Sequence, residues 1–550
     1  MKTRESWWKI IIGLLIMGAI FLRFWQLGRV PPGLNRDGAS IGYTAYSLLK
    51  TGRDEYGRRW PLTFRSFGDW KQPAYVYLTI PFLLIFGLKE SAVLLPSALA
   101  GLAGIGLIYL LVKQIFADKN LARWAAVFLA ILPWHFHFSR YNHEVNLGFT
   151  CLLAATWLFF KGLKKPALWP LAGLLFGLSL FTYHGFLVLT PLLVACLAVV
   201  YFRELKKFPR QTFFSLLILA FLAALIYQSA FSGAKVKASI SFLNDPVTIH
   251  AQIELPRTAK GNTLWSRLVY NRPIVFTKLF VKNYLATFGP NFLAIKGGSH
   301  PLHNFPGMGN IFWWQYPLFW LGVSLLAKQK QKSRWLILGW LIISPLASSL
   351  TKDAPNSGRV FPMIFPLVVC LALGASQIQQ SLKKPKFVFE LLILTLLGFS
   401  LIKMYQNYFI DLPRLRALNW GAGYQQLVNE LGQEKNLARK VLMSRPDYSP
   451  YIYFLFYQQF DPREFQKTVV YYPTTPDGFN HVRSFDRYEF GDFQLADELH
   501  KNQLVVIWAE EINDQALQKA AAFLQQTIVD QGEPRFYLFS GQKQVNNPSG

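Results

Sequence analysis

The sequence predicts a polytopic α-helical membrane protein carrying a small α/β domain at its C-terminal end. Three observations lead there. Of the 550 residues, 52% are hydrophobic and only 16% are charged, which is more apolar surface than one water-soluble core would bury. The apolar residues gather into runs close to the roughly 17–25 residues that cross a bilayer as helix. After Tyr405 the composition turns polar and mixed, as in an ordinary folded domain.

The runs fall near 8–27, 91–112, 124–138, 145–160, 167–183, 185–202, 212–228, 311–327, 335–350, 360–380 and 387–404. They give about eleven transmembrane helices. The first run is long and no small-residue cleavage site follows it, so it reads as a retained helix, not a signal peptide. A net charge of +27 would suggest nucleic acid in a soluble protein, but here its placement decides otherwise. Lysines and arginines cluster in alternate short connections, around 113–123, 161–165, 203–210, 328–334 and 383–386. Under the positive-inside rule this pattern predicts a multi-pass plasma-membrane protein with a cytoplasmic N-terminus and an extracytoplasmic C-terminal part. Nucleic acid is not an expected partner; the lipid bilayer is. Cys151, Cys196 and Cys370 all fall within predicted spans and imply no disulfide framework.

The expected organisation is a membrane-embedded domain over 1–405 with outer loops at 28–90 and 229–310, an extracytoplasmic α/β domain over 406–540, and a polar tail at 541–550. In the first outer loop, ASIGYTAYSLLKTG (39–52) has a helical apolar spacing of Ile41, Ala45, Leu48 and Leu49, ended by Gly52. That predicts a helix lying on the bilayer surface, with Asp37 as its N-terminal cap. Pro73 opens a second short helix that ends at Gly87. The loop 229–310 is rich in Gly, Pro, Asn and aromatics, and reads as a lid or substrate loop. In the C-terminal part, KVLMS (440–444), NQLVVIWA (502–509) and RFYLFS (535–540) read as strands. SPYIYFLFYQQF (449–460) and DQALQKAAAFLQQTI (514–528) read as helices.

Ionisable residues recur where outer loops meet spans. In NRDGAS, Asp37 can take a proton from a hydroxyl arriving from water. In GDWKQP, Asp69 and Lys71 precede a helix N-terminus, and a lysine there suits a phosphate. In SRYNHEVNLG, Glu144 opens a returning helix. In DAPNSGRVFP, Arg359 can anchor headgroups or hold a phosphate through paired hydrogen bonds. His300 and His303, in a glycine-rich stretch, are candidates for a sugar or metal. The spacing commits to no metal site and fixes no cofactor, with a divalent metal the candidate one.

At these residues the chain resembles the bacterial branch of the protein O-mannosyltransferase and lipid A aminoarabinose transferase family, within the GT-C superfamily of polytopic glycosyltransferases. The resemblance runs through LGRVPPGLNRDGASIGYTAYSLLKTGRDEYG, GDWKQPAYVYLTIPFLLIFGLKES, SRYNHEVNL and GGSHPLHNFPGMGNIFWWQYPLFWLG. It implies transfer of one sugar, a hexose such as mannose, from a polyprenyl-phosphate donor to a hydroxyl on a protein, lipid or polysaccharide. It implies Asp37 as the catalytic acid of the first loop, Lys71 and Arg359 at the donor phosphate, and Glu144 as a supporting acid, to which the residue reading adds Asp69. Many relatives have Asp-Glu-Ala where this chain has Asp37, Gly38 and Ala39, so a second carboxylate is missing here. A transporter or lipid-carrier translocator, and a non-catalytic glycan-binding or assembly protein, are the alternative readings.

Overall fold

The computed structural model describes residues 13–14, 16–230, 240–381, 386–433, 439–475 and 478–541; the polar tail beyond 541 lies outside them. Every apolar window holds helix over its described residues. Among the described residues, four helices are long and apolar enough to cross a membrane: Glu90–Phe116, Val145–Gly162, Pro209–Gln228 and Phe361–Ser381. Others are shorter, as in Ala74–Phe86, Pro166–Leu180 and Phe186–Val200. The window at 124–138 is broken: Lys119–Ile131 ends on extended Leu132, and Pro133 opens a separate helix, Pro133–Ser139, because proline cannot donate to the turn before it but fits the first helical position.

The chain divides into two compact units. The first comprises 1–25, 71–75 and 94–410 and is helical. Its helices approach closely at small residues, as expected where apolar packing replaces the hydrophobic effect. A Cβ on Gly322 would strike the Cys370 carbonyl, and one on Gly173 would strike that of Ser215. The loop 229–310, over its described residues, is largely helical and includes Leu264–Val269 and Arg272–Ala286.

The second unit comprises 26–70, 76–93 and 411–550, so the first loop folds with the C-terminal residues. A short hairpin joins β1 (Phe64–Ser66) to β2 (Asp69–Lys71). Its two central residues, Phe67 and Gly68, have φ of 56° and 100°, the sense of turn that matches strand twist. The main sheet has seven strands: β3 (Lys440–Met443), β4 (Val470–Tyr471), β5 (Val482–Phe485), β6 (Tyr488–Phe490), β7 (Gln503–Trp508), β8 (Leu524–Asp530) and β9 (Glu533–Ser540). Their order is β4-β5-β6-β3-β7-β9-β8. The pairs β6–β3 and β3–β7 are parallel and the outer pairs antiparallel. The central strands are apolar on both faces, with Leu504 to Trp508 all buried.

Two expectations change. The helix over 514–528 stops early: Asp514–Ala520 is helical, and LQQTIVD becomes β8, the partner of β9. Its β-branched Thr527, Ile528 and Val529 are better accommodated in a sheet than in a helix. The helix of the first loop runs Arg36–Thr51 and is enclosed, with ten of its residues buried. It packs on the buried helix Tyr451–Tyr457, close enough that a Cβ on Gly42 would clash with the Phe456 ring. Its apolar face meets protein, where the sequence suggested a bilayer surface. Gly52, at φ 68°, ends it as expected by donating its N–H to the Leu48 carbonyl.

Candidate functional site

In the second unit, Asp37 sits in the first turn of helix Arg36–Thr51. It is not the cap. The helix starts two residues earlier than the apolar spacing suggests, and Asn35 fills that role, its Oδ1 accepting from Gly38 N at 2.6 Å. Asp37 is therefore a half-buried carboxylate at the second helical position, where the positive end of the helix dipole favours its charge. Arg36 stacks over the Phe67 ring at 5.4 Å and donates to the Asp447 carbonyl at 3.4 Å. The nearby Tyr453 phenol is raised by burial, lowered by Arg36 and raised again by Asp37. The same helix is pinned by Glu55, a buried carboxylate that accepts from Thr44 Oγ1 at 3.4 Å and from the Tyr451 hydroxyl at 3.2 Å. Asp69 turns back on its own strand and accepts from Trp70 N at 2.7 Å, while Arg58 covers the Trp70 ring.

The first unit gathers most of the other candidates around one turn, Phe181 to Gly185, between the helices Trp169–Leu180 and Phe186–Val200. Ala74 N donates to the Phe181 carbonyl at 2.9 Å, which ties the segment bearing Lys71 to this turn. Two residues on, Tyr183 accepts a hydrogen bond from Arg359 and lies 5.1 Å, ring to ring, from His143. His143 Nδ1 is 3.6 Å from Glu144 Oε2, and the buried Tyr75 reaches Ser97 within electrostatic range of Glu144. Glu144 stands at the cap position of Val145–Gly162 with no capping bond from its side chain.

Arg359 is held on its other side by an ion pair with Asp353 and by donation to Thr351 Oγ1 at 3.1 Å. Burial alone would raise the Asp353 carboxyl, but the Arg359 guanidinium and hydrogen bonds more than offset it and hold it below the usual range. Burial likewise works against the charge of Arg359, which Tyr183 and Asp353 restore and raise. Asn356 organises the loop. Its Nδ2 must face Asp353 Oδ2, 2.7 Å away, because a carboxylate can only accept. Its Oδ1 then accepts from Gly358 N, Arg359 N and His303 Nδ1 at 2.9, 3.2 and 3.1 Å. His303 therefore carries its proton on Nδ1. Burial, with the neighbouring charges of His300, His143 and Arg359, keeps its pKa well below 6.5.

His300 and His303 stack face to face at 4.1 Å, a packing contact, not a chelating one. Among the described residues no three His, Cys, Asp or Glu side chains converge as a metal-ligand set. The glycine-rich stretch is clasped to the arginine loop: Gly298 N donates to Asn304 Oδ1 and Ser357 Oγ, and Ser357 Oγ donates to Asn304 Oδ1.

Sequence reasoning did not pick out Tyr183, Asp353, Asn356 or Gln72. Gln72 follows Lys71 and is buried, yet neither atom of its amide has a hydrogen-bond partner among the described residues. Asp353 and Asn356 lie inside DAPNSGRVFP, where the spacing of short polar residues signals a self-bonded loop; Tyr183 carried no local signal.

Residues 71–227 match the family model described as dolichyl-phosphate-mannose-protein mannosyltransferase. Lys71, Glu144 and Tyr183 fall inside that segment; Asp37, His300, His303 and Arg359 fall outside it. Two Bacillus subtilis (strain 168) proteins are similar in part. "Putative mannosyltransferase YkcB" is 43% identical over 90 residues, 16% of this chain and 12% of that one. "Putative mannosyltransferase YycA" is 32% identical over 174 residues, 30% of this chain and 25% of that one. These matches span a quarter or less of either relative. The crystal structure of ArnT from Cupriavidus metallidurans bound to undecaprenyl phosphate superposes with a TM-score of 0.55 at 13% identity, over 98% of this chain and 99% of that one. Residues 71–227 thus match the dolichyl-phosphate-mannose-protein mannosyltransferase family model, and the chain as a whole has the fold that ArnT displays.

Proposed function

We propose that this protein is a membrane glycosyltransferase that moves a single hexose from a polyprenyl-phosphate donor to an acceptor hydroxyl at the extracytoplasmic face of the membrane. The observation that carries this reading is the tie, through the Phe181–Gly185 turn, of the Lys71 segment to Glu144 and Arg359 within the family-matched region and its neighbouring loop. The membrane-embedded part is 1–405, with the extracytoplasmic α/β part at 406–540.

A sugar on a polyprenyl phosphate already has an activated anomeric carbon. The enzyme must orient the acceptor, remove its proton and stabilise the departing phosphate. In this reading Asp37 is the base. It stands in the first turn of a helix, and its partial exposure lets a hydroxyl reach it. Lys71 and Arg359 receive the charge that accumulates on the leaving phosphate, where preorganised cations are most effective. Arg359 is ion-paired with Asp353, so it acts as a fixed, oriented donor, and Lys71 is the second cation of the pair. Glu144 and Asp69 are the supporting acids, and His300 and His303 line the sugar side. Direct displacement inverts the anomeric centre.

Asp37→Asn tests the assignment. The purified variant should insert and fold as the parent does but release polyprenyl phosphate from a labelled donor at least ~100-fold more slowly. Turnover within a factor of about two of the parent would refute Asp37 as the base.

A further inference from the structure

The excursion over residues 243–296 has its amphipathicity turned outward. In helix Leu264–Val269, capped by Thr263, Leu264 and Trp265 are 75% and 77% exposed, and Leu268 and Val269 are about half exposed, whereas polar Ser266 is only 3% exposed. Positions i, i+1, i+4 and i+5 fall on one side of a helix, so the large apolar side chains point away from the protein and the serine points into it. The next helix, Arg272–Ala286, repeats the pattern. Val275 faces inward, while Ile274, Val281 and Leu285 are exposed in one stripe beside Lys278 and Lys282.

The charge is one-sided. Seven lysines and arginines lie between 243 and 296 against two carboxylates. Both carboxylates are already paired, Asp245 with Lys352 and Glu254 with His250. The stripe is also continuous with an apolar helix end: the Tyr284 hydroxyl donates to the carbonyl of exposed Ile342, in the last turn of Ser333–Ile343. Asn283 holds the Ser349 carbonyl just beyond.

We propose that residues 243–296 form an interfacial module that lies in the bilayer surface, with Trp265 and its neighbours among the acyl chains and the lysines on anionic phospholipid headgroups. Exposed apolar side chains flanked by snorkelling lysines are what such an interface selects. The module keeps a segment otherwise expected to be a mobile lid at a fixed depth. It requires only that the chain sits in a membrane, so it stands or falls apart from the proposed chemistry.

The test uses the full chain in nanodiscs, with an environment-sensitive dye on Trp265→Cys, on Leu268→Cys as a second reporter, and on Lys519→Cys in the C-terminal domain as the aqueous control. The unsubstituted protein gives the background from its native cysteines. Doxyl-labelled lipid should quench both reporters at least about threefold more than the control, and aqueous iodide should do the reverse. Adding phosphatidylglycerol to phosphatidylcholine discs should deepen the lipid quenching, and Lys278→Gln with Lys282→Gln should remove that gain. Iodide quenching at both reporters equal to the control would overturn the proposal. So would protection from both quenchers, which would mean that protein covers the stripe.

Discussion

Single side chains set the working state of the clustered loops. His303 is neutral because it is buried beside His300, His143 and Arg359, and because Asn356 fixes the proton on Nδ1. Its folded pKa is below the ordinary 6.5, so the unfolded chain binds the extra proton first as pH falls. The stabilisation is complete above about 6.5 and is lost as pH drops toward the lowered value. The melting temperature should fall between pH 7.5 and 5.5, and less so in His303→Gln. Gln72 makes the opposite kind of prediction. A buried amide without partners costs about 1–3 kcal/mol. Gln72→Met, which conserves volume, should therefore melt higher than the parent in unliganded protein, and an unchanged or lower melting temperature would show that the amide is satisfied. The residue types at Asp37, Lys71, Glu144 and Arg359 were legible in the sequence as charges at loop edges. Their holders were not: Tyr183 meets Arg359 from a turn more than 170 positions earlier, and nothing local marks such a pairing.

Helices and strands were legible where their periodicity was strong. The helix of the first loop was found with its Gly52 stop, but its start was missed by two residues, because Arg36 and Asp37 carry no apolar signal. Asn35 is the element's true beginning. Asn35→Ala should cost about 0.5–2 kcal/mol, read as a lower unfolding midpoint for the second unit, and Asn35→Asp should recover most of it. In the sheet, β3, β7 and β9 declared themselves as apolar runs. The two- to four-residue β4, β5 and β6 did not, since strands that short are defined by their neighbours and not by a pattern of their own.

At the scale of the whole chain, composition sufficed for long apolar helices followed by a polar C-terminal part with a sheet. The membership of 26–70 in the second unit could not be read that way, because pairing between segments so far apart leaves no periodic trace. It has a direct consequence. Residues 411–550 expressed alone would expose Phe456, which packs at Gly42 of the first-loop helix, and Tyr451, which bonds Glu55 of the same loop. That fragment should be aggregation-prone and give poorly dispersed amide spectra; a soluble, cooperatively melting fragment would contradict the division.

The helix that bears Asp37 is completed by partners made at the far end of synthesis: the Tyr43 hydroxyl donates to the Phe460 carbonyl, 417 positions later. At ribosomal speeds of about 5–20 residues per second, the acid waits roughly 20–80 s for its scaffold. A nascent product shorter than 460 residues would carry the Asp37 carboxylate on a helix that still lacks this hydrogen bond.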